Sequence, residues 1–464
     1  MMCIRQFGGI GIVLAVTLVP RMPAANNVLP GLPTPTVTTI QGRALLRAGR
    51  LADAERVVQA LLETSTDDAW CLAGELSFRR GDFDLARQAF EAATSANPSN
   101  ARAWWGLGRI ELLYSHRERA RDLFSRAWHL DPRDPEILLS CLDFISDPAA
   151  RATILRNVVV LARASQPARA EWALARLEIE ERLAGREPGA LDSPYKAYRI
   201  PLSGFRPLGE RQHGLMLLAR VNGGRPLRLV VDSGARGILV YRSAARGLEL
   251  EPMVASQVGG LGTGDTAESV LSLARTLAIG DLRLRDCLVE VSSREIVAGT
   301  DGVISPNVFE RFLVRIDPRA RVLELTPRGD SPSGPAAQDQ PAVNLGGLIL
   351  VRAQSGRGGE GWFLVDTGAA FTAVDRESAP LSLRSIPVDL NGVQGDAGAY
   401  RLSLLSLHVA GRSLADPEAI AIDLGRISQH EGVAISGILG YSLLSRWPLT
   451  FDFHNGTVRI GDTR

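Results

Sequence analysis

The stretch LRLVVDSGARGILV, residues 227–240, places an aspartate at the end of an apolar run that is typical of a buried strand. A second apolar run, Ile238-Leu239-Val240, follows after the Ser-Gly-Ala-Arg-Gly that comes next. A single Asp-x-Gly sequence usually indicates an ordinary turn, because Asp and Gly both favour turn geometry. The rest of the chain must show whether this aspartate does more than turn the backbone.

A second copy of the stretch lies further along the chain. The hairpin pattern GLMLLARVNGGRPLRLVVDSGA (214–235) is repeated as GLILVRAQSGRGGEGWFLVDTGA (347–369), which places the two aspartates at positions 232 and 366. Downstream, DGVISPNVFERFLVRIDPRARVLEL (301–325) matches SGILGYSLLSRWPLTFDFHNGTVRI (436–460) at an offset that differs from the aspartate offset by a single position. This nearly constant spacing indicates a duplicated β unit.

Two Asp-Ser/Thr-Gly-Ala motifs, each followed by an apolar-apolar-Gly element, resemble those of the aspartic peptidases. The closest in style are the retropepsin-like enzymes, whose lobes are short, and the resemblance covers 200–464. It implies a bilobed all-β fold, as in the pepsin-like enzymes, with Asp232 and Asp366 as the catalytic pair. Two carboxylates held close share one proton and serve as acid and base, because like charges resist joint ionisation. Which aspartate holds the proton stays open.

The resemblance also implies supporting roles for the residues that follow each aspartate. In the family, the Ser and Thr hydroxyls hydrogen-bond across the lobe interface. The glycines leave room where backbone approaches a carboxylate closely, and the alanines keep the loops narrow. The supporting residues are Ser233, Gly234, Ala235, Thr367, Gly368 and Ala369.

Two positions depart from the family pattern. The second apolar-apolar-Gly element, Ile438-Leu439-Gly440, conforms, but the first is Val303-Ile304-Ser305, with Ser in place of the usual Gly. Arg236 stands where some single-lobe relatives carry Asp. The interface network at this position is therefore expected to differ from theirs.

A Gly-rich turn lies between the two motifs of each lobe, QVGGLGTGD (257–265) and NGVQGDAG (391–398). In the family a hairpin flap closes over the bound peptide, and Gly supplies its hinge. An ordinary hairpin turn is the alternative interpretation. The predicted flap residues are Gly259, Gly260, Gly262, Gly264, Gly392 and Gly395.

The first half of the chain has a different pattern, in which WCLAGELSFRRGDFDLARQAFEAATSANP (70–98) aligns without a gap on WWGLGRIELLYSHRERARDLFSRAWHLDP (104–132). Small residues, an Ala-x3-Phe and a closing Pro recur, and this resembles the tetratricopeptide repeat. A weaker copy (42–62) precedes, and helical segments at 152–164 and 168–185 are expected to complete or cap the stack. Its concave surface would either bind a partner or brace the next domain.

The sequence thus predicts a multidomain chain in which an all-α helical repeat is followed by an all-β bilobed peptidase fold. The predicted segments are a signal peptide or anchor (1–25), a helical repeat domain (38–185), a linker (186–199), lobe one (200–325), a second linker (326–341) and lobe two (342–464). Both aspartates lie in one chain, so a monomer is sufficient for the site.

Bulk composition excludes some classes of function. The net charge of +1 provides no electrostatic footprint for nucleic acid. No cofactor or metal is implied, since the cysteines lack metal-ligand spacing and the six histidines are scattered. Arg5 and the apolar run from Phe7 to Val19 are typical of a secretory signal, which predicts an exported bacterial-type protein, periplasmic or secreted. The alternative is an inner-membrane anchor.

The resulting hypothesis is an aspartic-type endopeptidase, a hydrolase that cleaves peptides lying between the lobes. The helical repeats would recruit a protein partner or the substrate itself. The alternative is a catalytically silent peptide-binding or scaffold protein on a peptidase fold. The helical repeats also favour this alternative, because such repeats commonly bind other proteins.

Overall fold

The computed structural model describes residues 38–63, 66–205, 214–260, 266–329, 340–355, 359–377, 379, 384–388, 391–392, 395–396, 398–402, 405–409, 411–416 and 418–461. The predicted signal or anchor segment (1–25) lies outside these ranges. Among the residues described, none of the helices has both the length and the apolar character that crossing a membrane requires.

The region that begins at Thr39 and ends at Leu183 is a stack of helices, which we call the helical arch. A short 3₁₀ turn, Leu142–Phe144, interrupts the stack after its seventh helix. The helices are α1 (Thr39–Arg47), α2 (Leu51–Leu62), α3 (Asp67–Arg80), α4 (Phe83–Ala96), α5 (Ala101–Leu113), α6 (Arg117–Leu130), α7 (Pro135–Cys141), α8 (Pro148–Ala162) and α9 (Pro167–Leu183).

The repeated glycines and phenylalanines of the arch meet each other. A Cβ on Gly74 would overlap the ring of Phe90, and a Cβ on Gly108 would overlap the ring of Phe124. Phe90 also lies against Gly106 of the next helix pair, so one ring closes its own repeat and packs on its neighbour. Small residues therefore let the helices cross closely, as the repeat pattern predicts.

The second region is built of strands in two lobes joined by a shared sheet. Strands of lobe one are β1 (Ala190–Leu191), β3 (Ser203–Phe205), β4 (Gly214–Val221), β5 (Leu227–Val231), β6 (Ile238–Tyr241), β7 (Glu251–Val258), β8 (Ala267–Ile279), β9 (Leu282–Ser292) and β10 (Gly302–Ile304). The shared sheet contains β2 (Tyr198–Pro201), β11 (Phe312–Asp317), β12 (Val322–Pro327), β13 (Gln340–Leu345), β25 (Leu449–Asp452) and β26 (Thr457–Ile460).

Lobe two continues from the shared sheet through the pairing of β13 with its first strand. Its strands are β14 (Leu348–Ser355), β15 (Glu360–Val365), β16 (Ala373–Asp375), β17 (Arg384–Val388), β18 (Asn391–Gly392), β19 (Gly395–Asp396), β20 (Ala399–Leu402), β21 (Leu405–Val409), β22 (Arg412–Asp416), β23 (Ile420–Ile422) and β24 (Gly437–Leu439). Short helices in the two lobes are α10 (Arg242–Ala245), the 3₁₀ turn Pro306–Phe309, α11 (Gly425–Glu431) and α12 (Tyr441–Leu444).

Strand register shows that the two copies face each other symmetrically. β11 and β25 pair antiparallel, with Arg315 opposite Thr450 at the centre. On either side Val314 is opposite Phe451 and Ile316 is opposite Leu449. Arg315 and Thr450 are equivalent positions of the two sequence copies, so a local two-fold axis passes between them. The predicted order, helical repeats followed by a largely β region, is confirmed.

The helical arch contacts both lobes. On lobe two, the Trp362 indole donates a hydrogen bond to the Gly81 carbonyl oxygen at 2.8 Å, and its ring lies 5.4 Å from that of Phe83. On lobe one, Ile179 and Leu183 of α9 pack with Met253, Leu271 and Leu273 of the β7–β8 hairpin. The arch therefore bridges the lobes, which is the bracing role left open by the sequence.

Residues 186–199, suggested as a linker by the sequence, follow lobe one closely. Ala190 and Leu191 pair antiparallel with Arg285 and Leu284 of β9. The Gly189 amide donates to the Asp286 carbonyl oxygen at 3.1 Å. This segment therefore adds a short edge strand to lobe one before the chain enters the shared sheet at β2.

Candidate active site

Each candidate aspartate lies at the carboxyl end of a buried strand. Asp232 follows β5 and Asp366 follows β15, and their amides donate to the carbonyl oxygens of Ile304 and Leu439, both at 3.0 Å. Those acceptors end β10 and β24, which run parallel to β5 and β15. The apolar-apolar elements therefore hold both aspartate loops in the same way.

The two loops meet at their glycines. A Cβ on Gly234 would overlap the carboxylate of Asp366, and a Cβ on Gly368 would overlap the carboxylate of Asp232. Each glycine thus makes room for the aspartate of the opposite lobe. The structure brings together Asp232 and Asp366, which lie far apart in the sequence.

Four hydrogen bonds join the loops beneath the aspartates. The Ser233 amide donates to Thr367 Oγ1 at 3.1 Å, and the Thr367 amide donates to Ser233 Oγ at 3.0 Å. The two hydroxyls donate to the carbonyl oxygens of Val365 and Val231, each at 2.7 Å. Both side chains are buried, so each loop depends on the other lobe to satisfy its polar groups.

The electrostatic environments of the two carboxylates differ. Burial, and then the charge of Asp366, hold the pKa of Asp232 well above its ordinary range. Burial also raises the pKa of Asp366, but hydrogen bonds to its charged form oppose the rise. Asp366 Oδ1 accepts from the amides of Gly368 at 2.8 Å and Ala369 at 2.9 Å. Asp232 Oδ1 accepts from the Gly234 amide at 2.8 Å, and the Ala235 amide also favours its charged form. The two carboxyls therefore titrate as a coupled pair, because burial and their mutual charge resist joint ionisation.

Comparison with known proteins agrees with this geometry. Residues 217–307 match the aspartyl protease family, and residues 39–86 and 71–135 match the tetratricopeptide repeat. The chain joins tetratricopeptide repeats to an aspartyl protease domain. The protease match covers Asp232 and ends before Asp366, so the place of Asp366 in the site comes from the structure.

Individual relatives cover little of the chain. Cellulose synthase operon protein C of Komagataeibacter xylinus is 43% identical over 65 residues, which is 14% of this chain and 5% of that protein. This chain therefore spans only a small part of the length of that curated relative. A solved structure of pilF from Pseudomonas aeruginosa is 21% identical, with a TM-score of 0.25, and covers 31% of this chain and 67% of its own.

The structure gives a role to the serine in the first apolar-apolar element of the aspartyl protease domain. Ser305 is fully buried, and its Oγ accepts from the Asn307 amide at 3.3 Å, capping the 3₁₀ turn that follows. At the equivalent Gly440, a Cβ would overlap the Phe371 carbonyl oxygen. The departure from the family pattern therefore supplies a turn cap in lobe one, whereas lobe two requires the glycine.

Arg236 forms the distinct network that the sequence predicts at this position. Its guanidinium pairs with Glu431 of lobe two at 2.6 Å and donates to the carbonyl oxygens of Leu345 at 2.7 Å and Gly346 at 3.0 Å. Both charged side chains are buried. Sequence reasoning missed Glu431, because no local motif marks a residue 195 positions away from its partner.

Four of the six predicted flap residues lie in or beside hairpins. Gly259 and Gly260 follow β7, which pairs with β8 up to Val258 opposite Ala267. Gly392 is opposite Gly395 in the two-residue pairing of β18 with β19. The other two predicted flap residues, Gly262 and Gly264, lie outside the described residues. Within the described part of the chain, no group of three or more acidic, His or Cys side chains is placed to hold a metal ion.

Replacing Thr367 by valine is expected to lower the free energy of unfolding by about 2–4 kcal/mol, because it leaves the Val231 carbonyl and the Ser233 amide buried without partners. Chemical denaturation measures the change. Thr367→Ser retains a hydroxyl and should recover most of the loss. Thr153→Val, at an exposed helical threonine, is the matched control, with a change within about 0.5 kcal/mol. Equal losses in Thr367→Val and Thr153→Val would contradict the role of these interface hydrogen bonds.

Asp232→Asn is expected to stabilise the fold increasingly as the pH rises. A raised pKa means that the native state binds the proton more tightly than the unfolded state does. The stabilisation from this proton is complete below the ordinary Asp pKa of about 4 and is lost as the pH rises through the folded pKa. The asparagine side chain has no ionisable group, so the variant does not lose this stabilisation as the pH rises.

Urea titrations measure the difference in unfolding free energy between variant and wild type. They are run from about pH 4 to about pH 8, a range that lies above the ordinary Asp pKa. The difference should grow with pH for Asp232→Asn and stay flat for Asp122→Asn, an exposed control. A difference that is flat for both variants would show that burial does not raise the pKa of Asp232.

Proposed function

We propose that the chain is an aspartic-type endopeptidase, a hydrolase that cleaves peptide bonds with a water held between Asp232 and Asp366. One observation carries the proposal: two half-buried carboxylates meet on equivalent loops that four hydrogen bonds hold in register. Both loops belong to one chain, so a monomer suffices for activity.

We assign the ionised role to Asp366, because burial and the charge of Asp366 hold the pKa of Asp232 well above its ordinary range. Ionised Asp366 takes a proton from the water as the water oxygen bonds to the peptide carbon. Protonated Asp232 donates its proton to the carbonyl oxygen, which yields a neutral tetrahedral diol. The diol collapses when the amide nitrogen takes the proton from Asp366 and the C–N bond breaks. Asp232 then recovers its proton from a diol hydroxyl, and the pair returns to its starting state.

The substrate we propose is an extended peptide lying between the lobes, held by main-chain hydrogen bonds and side-chain pockets. The helical arch would recruit a protein partner or the substrate. Its contacts with both lobes support this role, because they fix the arch relative to the lobes that carry the aspartates. We further propose an exported protein, which sequencing of the mature N-terminus would test.

Cleavage of a diverse peptide pool, followed by mass spectrometry from acid to neutral pH, tests the proposal. The wild-type protein should cut, pepstatin should inhibit, and Asp232→Asn and Asp366→Asn should not cut. If none of the three proteins cleaves the peptides but all three still bind them, the non-catalytic peptide-binding alternative is favoured. Cleavage that survives both substitutions would show that the site has been wrongly assigned.

A further inference from the structure

A cavity of about 360 Å³ lies between the helical arch and the two lobes. Phe78 and Arg109 line it from the arch, Arg236 and Glu290 from lobe one, and Gly347 from lobe two. Three separate parts of the chain therefore enclose a single space. Neither half of the molecule would form it alone.

The cavity adjoins the aspartate site. Its wall includes Arg236 and Gly237, which continue directly from the loop Asp232-Ser233-Gly234-Ala235. Four residues of extended chain span at most about 14 Å, which limits the distance from Asp232 to this wall. An extended peptide with its scissile bond at the aspartates would reach the cavity within about four residues.

Arg109 is a half-buried cation in this wall that no carboxylate pairs with in the described part of the chain. Its guanidinium lies 3.7 Å from the centre of the Phe78 ring and 4.6 Å from that of Trp105. No ion pair with Arg109 is formed in the ranges that the structure describes. Nearby carboxylates already have arginine partners: Glu75 pairs with Arg43 at 2.9 Å, and Glu136 pairs with Arg102 at 2.8 Å and Arg169 at 2.7 Å.

Burial and the neighbouring Arg79 charge lower the pKa of Arg109 to about 10. The group stays protonated at neutral pH, so an unpaired positive charge faces the cavity. Two aromatic rings fix the plane of the guanidinium and leave its N–H fork to bind an anion. A planar fork of this kind matches the geometry of a carboxylate.

The other charged groups that line the cavity interact with partners other than Arg109. Arg236 pairs with Glu431 at 2.6 Å, Arg117 donates to the Asp143 carbonyl oxygen at 3.4 Å, and the charge of Glu310 acts on Arg328. Burial raises the pKa of Glu290. Among the described residues that line the cavity, Arg109 is a cation that forms no ion pair, and Glu290 is a carboxyl that forms none.

We propose that Arg109 binds the C-terminal carboxylate of the substrate peptide, so that the protease removes short C-terminal peptides. The inference rests on the proposed peptidase function and adds a substrate class to it. Because the cavity wall at Arg236 lies within about four extended residues of Asp232 and Arg109 lines the same cavity, we expect the released peptide to be short.

Two matched pools of decapeptides, identical in sequence but ending in a free carboxylate or in an amide, test the proposal on the wild-type protein. The amide removes the negative charge and leaves the rest of the peptide unchanged. The acid pool should be cut at least about tenfold faster in kcat/KM, since Arg–carboxylate pairs are among the strong hydrogen bonds. Mass spectrometry should place the cuts within about four residues of the C-terminus.

Arg109→Met should abolish the preference for the acid pool, with equal rates on both pools. Arg126→Met is the matched control, because the Arg126 guanidinium also stacks on a tryptophan, 3.6 Å from the Trp104 ring centre, and does not line the cavity. This control should keep the full preference. Circular dichroism checks that both variants fold, and the comparison of the two pools on wild type requires no variant.

Equal cutting of acid and amide pools by the wild type would overturn the inference while leaving the peptidase function intact. Failure to cut either pool would instead contradict the peptidase function. In that case fluorescence anisotropy with labelled acid and amide pools measures binding. At least tenfold tighter binding of the acid pool would support the carboxylate site, and equal binding would reject it.

Discussion

Asp366→Asn is expected to lower kcat by about 10⁴-fold on any peptide that the wild type cleaves, because asparagine cannot take the proton of the attacking water. The loops should keep their shape, since an amide oxygen can still accept from the Gly368 and Ala369 amides. KM should change far less than kcat. Steady-state kinetics on one peptide identified from the pool measures both constants.

Asp317→Asn is the matched control for this substitution. Asp317 also follows an apolar run, but its Oδ1 accepts from the Arg319 amide at 3.1 Å and the Ala320 amide at 2.9 Å and so closes a turn. Its kcat should stay within about twofold of wild type, as expected for a residue away from the reacting atoms. An Asp366→Asn variant that keeps a tenth of the wild-type kcat would exclude Asp366 as the general base.

Trp362→Ala is expected to lower the free energy of unfolding by about 3–5 kcal/mol, the range for removing a large buried aromatic side chain. Trp362 is 4% exposed and packs on Phe83 of the helical arch. Its loss also leaves the Gly81 carbonyl oxygen without the indole donor. Chemical denaturation measures the change, and hydrogen exchange at α4 should rise as the arch loosens from lobe two.

Trp362→Phe separates packing from hydrogen bonding at the same position. The phenyl ring retains most of the contact with Phe83, so the expected loss is about 1–3 kcal/mol, the cost of an unsatisfied buried acceptor. Trp172→Ala, at a half-buried tryptophan within the arch, should destabilise the protein without raising exchange at the contact between arch and lobe two. Unchanged exchange at α4 in Trp362→Ala would show that this contact does not hold the arch in place.

Much of the site was predictable because the duplication repeats the same motifs at a nearly constant spacing in the sequence. Motifs that recur at a nearly constant offset place equivalent residues on equivalent loops, and the strand register from Val314 to Ile316 follows that symmetry. The hydroxyls of Ser233 and Thr367 were assigned to the lobe interface through the family resemblance, and the structure places them there. Whether the aspartates catalyse hydrolysis remains a prediction.

The helical repeats were predictable for a similar reason. Gly74 and Gly108 recur at the same spacing as Phe90 and Phe124, because each glycine is the packing partner of a ring in its own repeat. Short-range periodicity of this kind records contacts between neighbouring helices. It carries no information on what the finished stack will pack against.

The sequence by itself therefore determined the two architectures, the paired aspartates and the polar residues beside them, because repetition and local pattern encode contacts within each unit. Only the tertiary structure decided how the units combine. Trp362 meets Gly81 across 281 residues, and Arg236 meets Glu431 across 195. It also decided how burial and neighbouring charges act on each aspartate and which arginines form ion pairs, since both depend on the charges and donors that folding brings within reach.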